Sequence, residues 1–229
     1  MLYIVGTPLG NASDISLRAV QTLVNADVIL AEDTRSFATF YPIIQDLFKL
    51  SPNREQKIVS FYKDNEFERL PSVLEWLEDG LDIALISESG MPLISDPGSP
   101  LIQHLTTNNI DFTVIPGPTA FVNAAALSGF KFKSIVHLGF LSKKKSDVLK
   151  ALENMLKTVE NFEQPLFTFY ESPFRINETL SLIAQKAPKA QIAICREMTK
   201  KFEEVLRGTP EELSKETYKG EMTVVIGSL

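Results

Sequence analysis

The first half of the chain alternates short apolar runs with segments of helical periodicity. The apolar runs have the length of β-strands and lie at 2–5, 27–31, 57–60, 82–86 and 111–115. Between the first two runs, Leu17, Val20 and Val24 recur at helical spacing. Strands that are apolar along most of their length and alternate with helices predict a parallel sheet covered by helices on both faces.

A further helix is predicted over Leu70–Glu78, between the third and fourth strands. Pro71 suits the first turn of a helix, and Gly80 suits the position just past a helix end. The first half therefore has the βαβα order of an α/β domain.

Pro116, Gly117 and Pro118 interrupt this alternation. Because proline has a fixed φ and no backbone donor, neither a helix nor a central strand continues through them. We place a domain boundary here, with an N-terminal α/β domain at 1–116 and a C-terminal α/β domain at 117–229. Candidate strands of the second half lie at 134–140, 165–170, 190–195, 203–208 and 221–226. Few helical residues separate the last three, which favours antiparallel pairing and a mixed sheet.

Composition narrows the class of protein. The 229 residues are 44% hydrophobic and 23% charged, as in globular proteins. No signal-peptide pattern is present at the N-terminus and no stretch approaches the roughly 20 apolar residues of a membrane span, so we expect a cytoplasmic protein. Cys195, His104 and His137 lie far apart, and no metal site is expected. The net charge of −6 argues against a protein that coats nucleic acid by charge alone.

Polar and glycine-rich segments follow the predicted strands, where parallel sheets bind ligands. Segment 5–11 lacks both the Gly-Lys-Ser/Thr of a P-loop and the Gly-x-Gly-x-x-Gly pattern. Segment 87–98 is longer than an ordinary connection, and its glycines permit close backbone approach to a ligand. Segments 32–35 and 60–66 add polar side chains. The structural alternatives are a tight turn for 5–11, a long loop for 87–98 and a helix cap for 32–35.

Three other segments have two interpretations each. Segment 116–120 is either a hinge or a turn that presents Thr119 to a ligand. Segment 169–175 has aromatic and arginine side chains that suit stacking on a nucleotide base, or its phenylalanines are core residues. The basic run 143–145 is either solvated surface or a phosphate contact.

Taken in order, these segments resemble one family. The motifs are Val-Gly-Thr-Pro-Leu-Gly-Asn (5–11), Ala-Glu-Asp-Thr-Arg (31–35), Asp-Asn-Glu (64–66), Pro-Leu-Ile-Ser-Asp-Pro-Gly (92–98), Pro-Gly-Pro-Thr-Ala (116–120), Gly-Phe-Leu (139–141), Phe-Tyr-Glu-Ser-Pro (169–173) and Arg-Glu-Met-Thr-Lys-Lys-Phe-Glu-Glu (196–204). Over nearly the whole chain they resemble the ribosomal RNA small-subunit methyltransferase I family of the tetrapyrrole-methylase superfamily.

The resemblance implies a fold, a cofactor and a reaction. The implied fold is α/β, a two-domain class III (tetrapyrrole methylase-like) methyltransferase, with S-adenosylmethionine in the cleft between the domains. The implied protein is a homodimer. The implied reaction is 2′-O-methylation of a cytidine ribose in the decoding region of small-subunit rRNA, as free rRNA or in the assembled subunit.

Site residues follow from the same resemblance. Cofactor contacts fall on Pro8, Glu88, Ser89, Gly90, Met91, Pro92, Ile94, Ser95, Thr119 and Ala120. Substrate contacts fall on Asn11, Asp14, Asn65, Glu171 and Arg175. The catalytic candidates are Asp33, Arg35 and Glu66. A ribose hydroxyl needs a proton acceptor, and our hypothesis is Asp33, with Arg35 holding a phosphate or carboxylate and Glu66 as the alternative base.

The chain departs from the family pattern at several positions. Residues 88–92 are Glu-Ser-Gly-Met-Pro where the family has Asp-Ala-Gly-Thr-Pro, and Tyr62, Asp64 and Phe174 stand where histidines are common. No histidine near these segments is therefore available as a base. Two alternatives stay open: a methyltransferase acting on a tetrapyrrole or other small molecule, and a non-catalytic cofactor-binding protein of the ribosome.

Overall fold

A computed structural model describes residues 1–159 and 162–228 of the chain. The chain forms two units, 1–119 and 120–229, and each is built around its own five-stranded sheet. No helix among the described residues is long and apolar enough to cross a lipid bilayer.

The first unit has a parallel sheet. Its strands are β1 Leu2–Val5, β2 Val28–Ala31, β3 Lys57–Ser60, β4 Ile83–Ile86 and β5 Phe112–Ile115, in the order β3-β2-β4-β1-β5. Its helices are α1 Leu17–Asn25, α2 Thr34–Phe48, α3 Glu66–Glu78 and α4 Ser99–Thr107, and a short 3-10 turn spans Ala12–Asp14. All neighbouring strands pair in parallel, so the predicted parallel sheet is confirmed.

Helices cover both faces of this sheet. On one face, Leu23 of α1 and Ile44 of α2 pack in an apolar cluster with Ile29 of β2. On the other face, Leu101 of α4 packs in a second cluster with Leu30 of β2. Ile29 and Leu30 are adjacent in sequence, and their side chains enter different clusters because successive strand residues point to opposite faces.

Helix α3 begins earlier than its sequence predicts. It starts at Glu66 and contains Pro71 in its interior, so the placement of Pro71 in the first turn is wrong. The start is set by a turn in which the Asn65 Oδ1 accepts a hydrogen bond from the Tyr62 amide at 2.8 Å. Apolar periodicity does not report a helix start fixed by polar contacts. The glycine past the helix end is confirmed, since Gly80 has a φ of 79°.

The second unit has a mixed sheet. Its described strands are β6 Ser134–Phe140, β7 Pro165–Glu171, β8 Gln191–Arg196, β9 Glu204–Gly208 and β10 Met222–Ser228, in the order β6-β7-β10-β8-β9. Its described helices are α5 Ala120–Ser128, α6 Lys145–Val159, α7 Ile176–Lys186 and α8 Pro210–Leu213. β6 and β7 are parallel, whereas β10 pairs antiparallel with β7 and β8, and β8 with β9. The predicted mixed sheet is therefore confirmed.

One face of the second sheet holds the main apolar core of this unit. Phe167 and Phe169 of β7 point into a cluster with Leu152 of α6 and Leu180 of α7. All four side chains are at most 1% exposed. Thr168, between the two phenylalanines, points to the opposite face.

Candidate functional site

The candidate site of the first unit lies at the edge where all five parallel strands end. β1 and β4 are neighbours, but the chain leaves β1 towards α1 on one face and reaches α4 from β4 on the other face. Loops that diverge to opposite faces leave a crevice between them, and this is where open α/β sheets bind ligands.

The loops after β1 and β4 are tied together by hydrogen bonds. The Thr7 amide donates to the Gly90 carbonyl at 2.8 Å. The Thr7 hydroxyl donates to the same oxygen at 3.3 Å, and the Ser89 hydroxyl donates to the Leu9 carbonyl at 3.3 Å. Thr7 is 3% exposed. Segments 6–9 and 87–90 therefore form one continuous wall of the site.

Two glycines bring the segment after β5 against this wall. The Gly6 amide donates to the Ile115 carbonyl at 3.0 Å. A Cβ on Gly6 would lie 2.6 Å from the Cα and N of Gly117, closer than a real Cβ approaches backbone. Only a residue without a side chain lets segments 6–9 and 116–119 meet in this way.

The loop after β4, residues 87–98, is held in a strained conformation. Leu93 and Ser95 have φ values of 74° and 73°, in the left-handed region that disfavours residues with a Cβ. Each such residue costs on the order of 1–3 kcal/mol, and it persists only where surrounding contacts fix it. One such contact is a hydrogen bond of 2.8 Å from the Gly98 amide to Glu66 Oε2.

Glu66 is thus an anchor for the far end of this loop. Its side chain belongs to the first residue of α3 and the residue is 9% exposed. The predicted catalytic role of Glu66 as an alternative base stays a prediction, and the observed contact gives it a structural task.

The Glu32 carboxylate contacts the backbone of Glu88 and lies near the carboxyl group of Asp96, beside the wall. The Glu88 amide donates to Glu32 Oε2 at 3.2 Å, and the Ser36 hydroxyl donates to Glu88 Oε1 at 3.1 Å. Burial and, to a lesser extent, the charge of Glu32 raise the pKa of Asp96, a hydrogen bond with Ser87 lowers it, and the resulting pKa is about 7. Asp96 is therefore able to exchange a proton near neutral pH.

Asp33 has the opposite electrostatic environment. It caps α2, and its Oδ1 accepts hydrogen bonds from the amides of Arg35 at 2.8 Å and Ser36 at 3.3 Å. Its Oδ2 accepts from Arg35 Nη2 at 2.8 Å. The Arg35 guanidinium, followed by these backbone donors, holds the pKa of Asp33 well below its usual range. The Arg35 side chain is 91% exposed and can still contact an anion.

Three predicted substrate residues of this unit lie in its turns. Asn11 caps the 3-10 turn by accepting a hydrogen bond from the Ser13 amide at 3.0 Å. Asp14 is exposed at the end of that turn. Asn65 is 7% exposed and also donates to the Ser60 carbonyl at 3.1 Å, so its side chain closes the turn between β3 and α3.

The predicted cofactor residues of the first unit lie on the same loops. Pro8 lies after β1, and Glu88 to Ser95 lie after β4. Thr119 follows β5 as the last residue of the first unit, and Ala120 begins α5 of the second unit.

The predicted substrate residues of the second unit form a buried polar network. Glu171 is 4% exposed; its Oε1 accepts from the Ser172 amide at 2.8 Å and its Oε2 from the Thr179 hydroxyl at 2.8 Å. Arg175 Nη2 donates to Glu171 Oε2 at 3.2 Å and to the Leu141 and Ser142 carbonyls at 3.2 and 2.9 Å. This network ties the ends of β6 and β7 to the start of α7.

The sequence prediction missed Asp96 and Glu32 as site residues. Glu32 lies at a strand end and Asp96 lies in Asp-Pro-Gly before a helix, and both belong to segments with a predicted ligand-binding role. Their spatial proximity depends on the order β2-β4, which periodicity does not give. Within residues 1–159 and 162–228, no group of histidine, cysteine, aspartate and glutamate side chains is arranged to hold a metal ion.

Comparison with known proteins identifies the family. The family described as Tetrapyrrole (Corrin/Porphyrin) Methylases matches residues 1–214. A Bacillus subtilis protein named ribosomal RNA small subunit methyltransferase I is 35% identical over 230 residues, covering 99% of this chain and 74% of its own length. Proteins of the same name from Thermotoga maritima and Mycoplasmopsis pulmonis are 36% and 38% identical, each covering 98% of this chain and 97% and 96% of their own lengths.

Solved structures agree on the fold. The methyltransferase CobJ has a TM-score of 0.72 at 17% identity, covering 99% of this chain and 93% of that chain. The uroporphyrin-III-C-methyltransferase from Thermus thermophilus has a TM-score of 0.62 at 18% identity, with the same coverage. At these identities the likeness shows the fold, while the relatives above cover nearly the whole chain at about twice the identity. The chain therefore belongs to the ribosomal RNA small subunit methyltransferase I family of the tetrapyrrole methylases, and it is an S-adenosylmethionine-dependent methyltransferase.

Proposed function

We propose that this protein transfers a methyl group from S-adenosylmethionine to the ribose 2′-hydroxyl of a cytidine in the decoding region of small-subunit rRNA, in the cytoplasm. The observation that carries the proposal is the set of relatives named for small-subunit rRNA methylation, which align with 98–99% of this chain. The choice of a cytidine 2′-oxygen rests on the family resemblance of the sequence motifs.

The strand-end edge of the first unit suits the cofactor. S-adenosylmethionine supplies an electrophilic methyl group on a positively charged sulfonium, and it also carries an ammonium group. The carboxylates of Glu32 and Glu88 match these positive charges, and Ile94 is 38% exposed and offers an apolar contact. Backbone groups of Pro8, Gly90 and Thr119 would hold the cofactor, because the segments that contain these residues pack closely against one another. The protein then chiefly orients the reactants and excludes water.

The hydroxyl proton needs an acceptor, and two carboxylates compete for that role. Asp33, our hypothesis from the sequence, is ionised, but its pairing with Arg35 makes it a weak base. The pKa of Asp96 is about 7, which suits a base working at neutral pH. Asp96 is therefore the stronger candidate, and Asp33 serves to orient Arg35 towards an anion.

The two assignments are separated by Asp33→Asn and Asp96→Asn in single-turnover methyl transfer over a range of pH. Asparagine caps helices about as well as aspartate, so Asp33→Asn preserves α2. If Asp96 is the base, the wild-type rate of methyl transfer rises with pH and levels off above about 7. The rate in Asp96→Asn should then be lower than that of the wild type by roughly 10²–10⁴-fold. If methyl transfer collapses in Asp33→Asn while cofactor binding stays intact, and Asp96→Asn transfers the methyl group at a near-normal rate, Asp33 is the base.

The rival substrate is a tetrapyrrole, because the family description and the solved structures include porphyrin and corrin methylases. Labelled S-adenosylmethionine is incubated with the protein and either small-subunit particles lacking the modification, free small-subunit rRNA, or a carboxylated porphyrinogen. We expect label in RNA and none in the macrocycle. Label in the macrocycle alone would refute the rRNA proposal. Comparing particles with free rRNA identifies the form that is methylated.

A further inference from the structure

A largely exposed group of aromatic and basic side chains lies where β6 and β7 end. It consists of Phe140, Lys143, Lys144, Tyr170 and Phe174, and it is called the aromatic edge below. Phe140 is 66% exposed and Phe174 is 96% exposed. Phenylalanines this exposed gain little from burial in the unit itself, and a group of them beside basic residues marks a candidate binding surface.

A local irregularity of the sheet turns Phe140 outward. His137 pairs with Thr168 and Phe140 pairs with Tyr170, so β6 has an additional residue between these two pairs. Gly139, with a φ of 62°, lies in this segment. Such a bulge re-aims the side chain that follows it, and the Phe140 ring lies 5.3 Å from the Tyr170 ring.

The aromatic edge continues into a row of rings along the sheet. The His137 ring lies 4.8 Å from Tyr170 in an edge-on arrangement and stacks on Phe121 at 4.3 Å. The His137 Nδ1 is 3.0 Å from the Thr168 hydroxyl, which fixes the ring. The Tyr170 ring therefore connects Phe140 to the rings of His137 and Phe121.

The polar network of Glu171 and Arg175 holds the two chain segments of the aromatic edge together. Arg175 Nη2 donates to the carbonyls of Leu141 and Ser142, directly after Phe140, while its own backbone follows Phe174. The residues predicted to bind substrate thus act as positioning residues for the exposed phenylalanines.

Charge at the aromatic edge is positive, although the chain carries a net charge of −6. Lys145 pairs with Glu178 at 2.6 Å. Over residues 1–159 and 162–228, neither Lys143 nor Lys144 forms an ion pair, and both are exposed. The nearby Asp147 accepts a hydrogen bond from the Ser142 hydroxyl at 2.9 Å. Two unpaired cations beside exposed rings match an anionic ligand with flat faces.

We propose that the aromatic edge docks single-stranded RNA, with unpaired bases stacked on Phe140 and Phe174 and phosphates contacted by Lys143 and Lys144. This proposal rests on the proposed rRNA function and names the surface that receives the RNA strand. Base–aromatic stacking with a lysine-lined path for phosphates is the usual chemistry of single-strand recognition.

The test measures binding of small-subunit rRNA to the full chain, in the presence of S-adenosylmethionine, over a range of salt concentrations. Phe140→Ala/Phe174→Ala should weaken binding by about 10- to 100-fold. Lys143→Glu/Lys144→Glu should lower the dependence of log affinity on log salt by at least about one per lysine. Cofactor affinity should stay unchanged in both.

Matched controls use the same substitutions elsewhere. Phe67→Ala/Phe202→Ala removes two phenylalanines that are 70% and 65% exposed. Lys131→Glu/Lys189→Glu reverses two exposed lysines that precede β6 and β8, at the opposite end of the sheet. Both controls should bind RNA like the wild type, and the lysine control changes the net charge by the same amount as Lys143→Glu/Lys144→Glu.

Three results would overturn the inference. The first is wild-type RNA affinity and salt dependence in both double variants, and the second is an equal loss in the controls. The third is a change of oligomeric state in Phe140→Ala/Phe174→Ala with unchanged RNA affinity, which would make the aromatic edge a contact between copies of the chain. A wild-type protein that neither binds nor methylates rRNA would instead refute the proposed function itself.

Discussion

At the scale of single residues, two aspartates of one site differ because of their surroundings. Asp33 is paired with Arg35 and receives backbone hydrogen bonds, which lower its pKa. Asp96 is desolvated beside the Glu32 carboxylate, which raises its pKa to about 7. The different surroundings of these chemically identical side chains are the basis for the distinct tasks that we propose, an orienting anion for Asp33 and a proton acceptor for Asp96.

The raised pKa of Asp96 predicts a pH dependence of stability. As pH rises from about 4 to 7, the unfolded chain has lost this proton while the folded protein keeps it, so the stability contribution of Asp96 falls across this window and then levels off. In Asp96→Asn this titration is absent. The difference in Tm, variant minus wild type, should increase from pH 4 to 7 and stay constant above. A difference that does not change with pH would contradict the assignment.

The contact between Gly6 and Gly117 predicts a second residue effect. Gly6→Ala places a methyl group 2.6 Å from backbone atoms, so we expect a loss of about 1–3 kcal/mol in unfolding free energy and weaker cofactor binding. Gly80→Ala is the control, because Gly80 has a positive φ and open space around it. It should cost roughly 1–2 kcal/mol through backbone strain alone and leave cofactor affinity unchanged. Equal cofactor affinities in both variants would show that the glycine contact does not shape the site.

At the scale of elements, the loop 87–98 depends on α3. Glu66 belongs to the first turn of α3 and holds the Gly98 amide at the far end of the loop. The strained Leu93 and Ser95 lie between this anchor and the hydrogen bonds to Thr7. Helix α3 does not line the wall of the site, but it fixes the loop 87–98, which does.

Removing this anchor should loosen the loop. Glu66→Ala leaves the buried Gly98 amide without its acceptor, at a cost of about 1–3 kcal/mol. Amide hydrogen exchange in 87–98 should become faster, whereas Glu66→Gln retains an acceptor oxygen and should exchange nearly as the wild type. Unchanged exchange in Glu66→Ala would mean that other contacts hold the loop.

The sequence predicts most of the strands and helices, but it does not predict the contacts between them. Strands such as Leu2–Val5 are continuous apolar runs bounded by polar or glycine-rich turns, so length and hydrophobicity determine them. The start of α3 depends on hydrogen bonds of Asn65, which leave no apolar signal. The pKa of Asp96 and the packing of Gly6 on Gly117 depend on strand order, so they follow only from the three-dimensional structure.

At the scale of the whole molecule, the two units have different kinds of sheet. The parallel sheet of the first unit gathers its loops at one edge, and the mixed sheet of the second unit presents the aromatic edge. The fold class and the family inferred from the motifs are confirmed by the relatives and the solved structures. The homodimer and the placement of the cofactor between the domains stay predictions.

The most direct test of the central claim is to map the methyl group that this protein adds to small-subunit rRNA. Particles from a strain lacking the gene are methylated in vitro, the RNA is digested, and the nucleosides are analysed by mass spectrometry. We expect a cytidine from the decoding region with the added methyl group on its ribose 2′-oxygen, absent without S-adenosylmethionine. A methyl group on a base, or no RNA methylation by a protein that binds the cofactor, would contradict the proposed function.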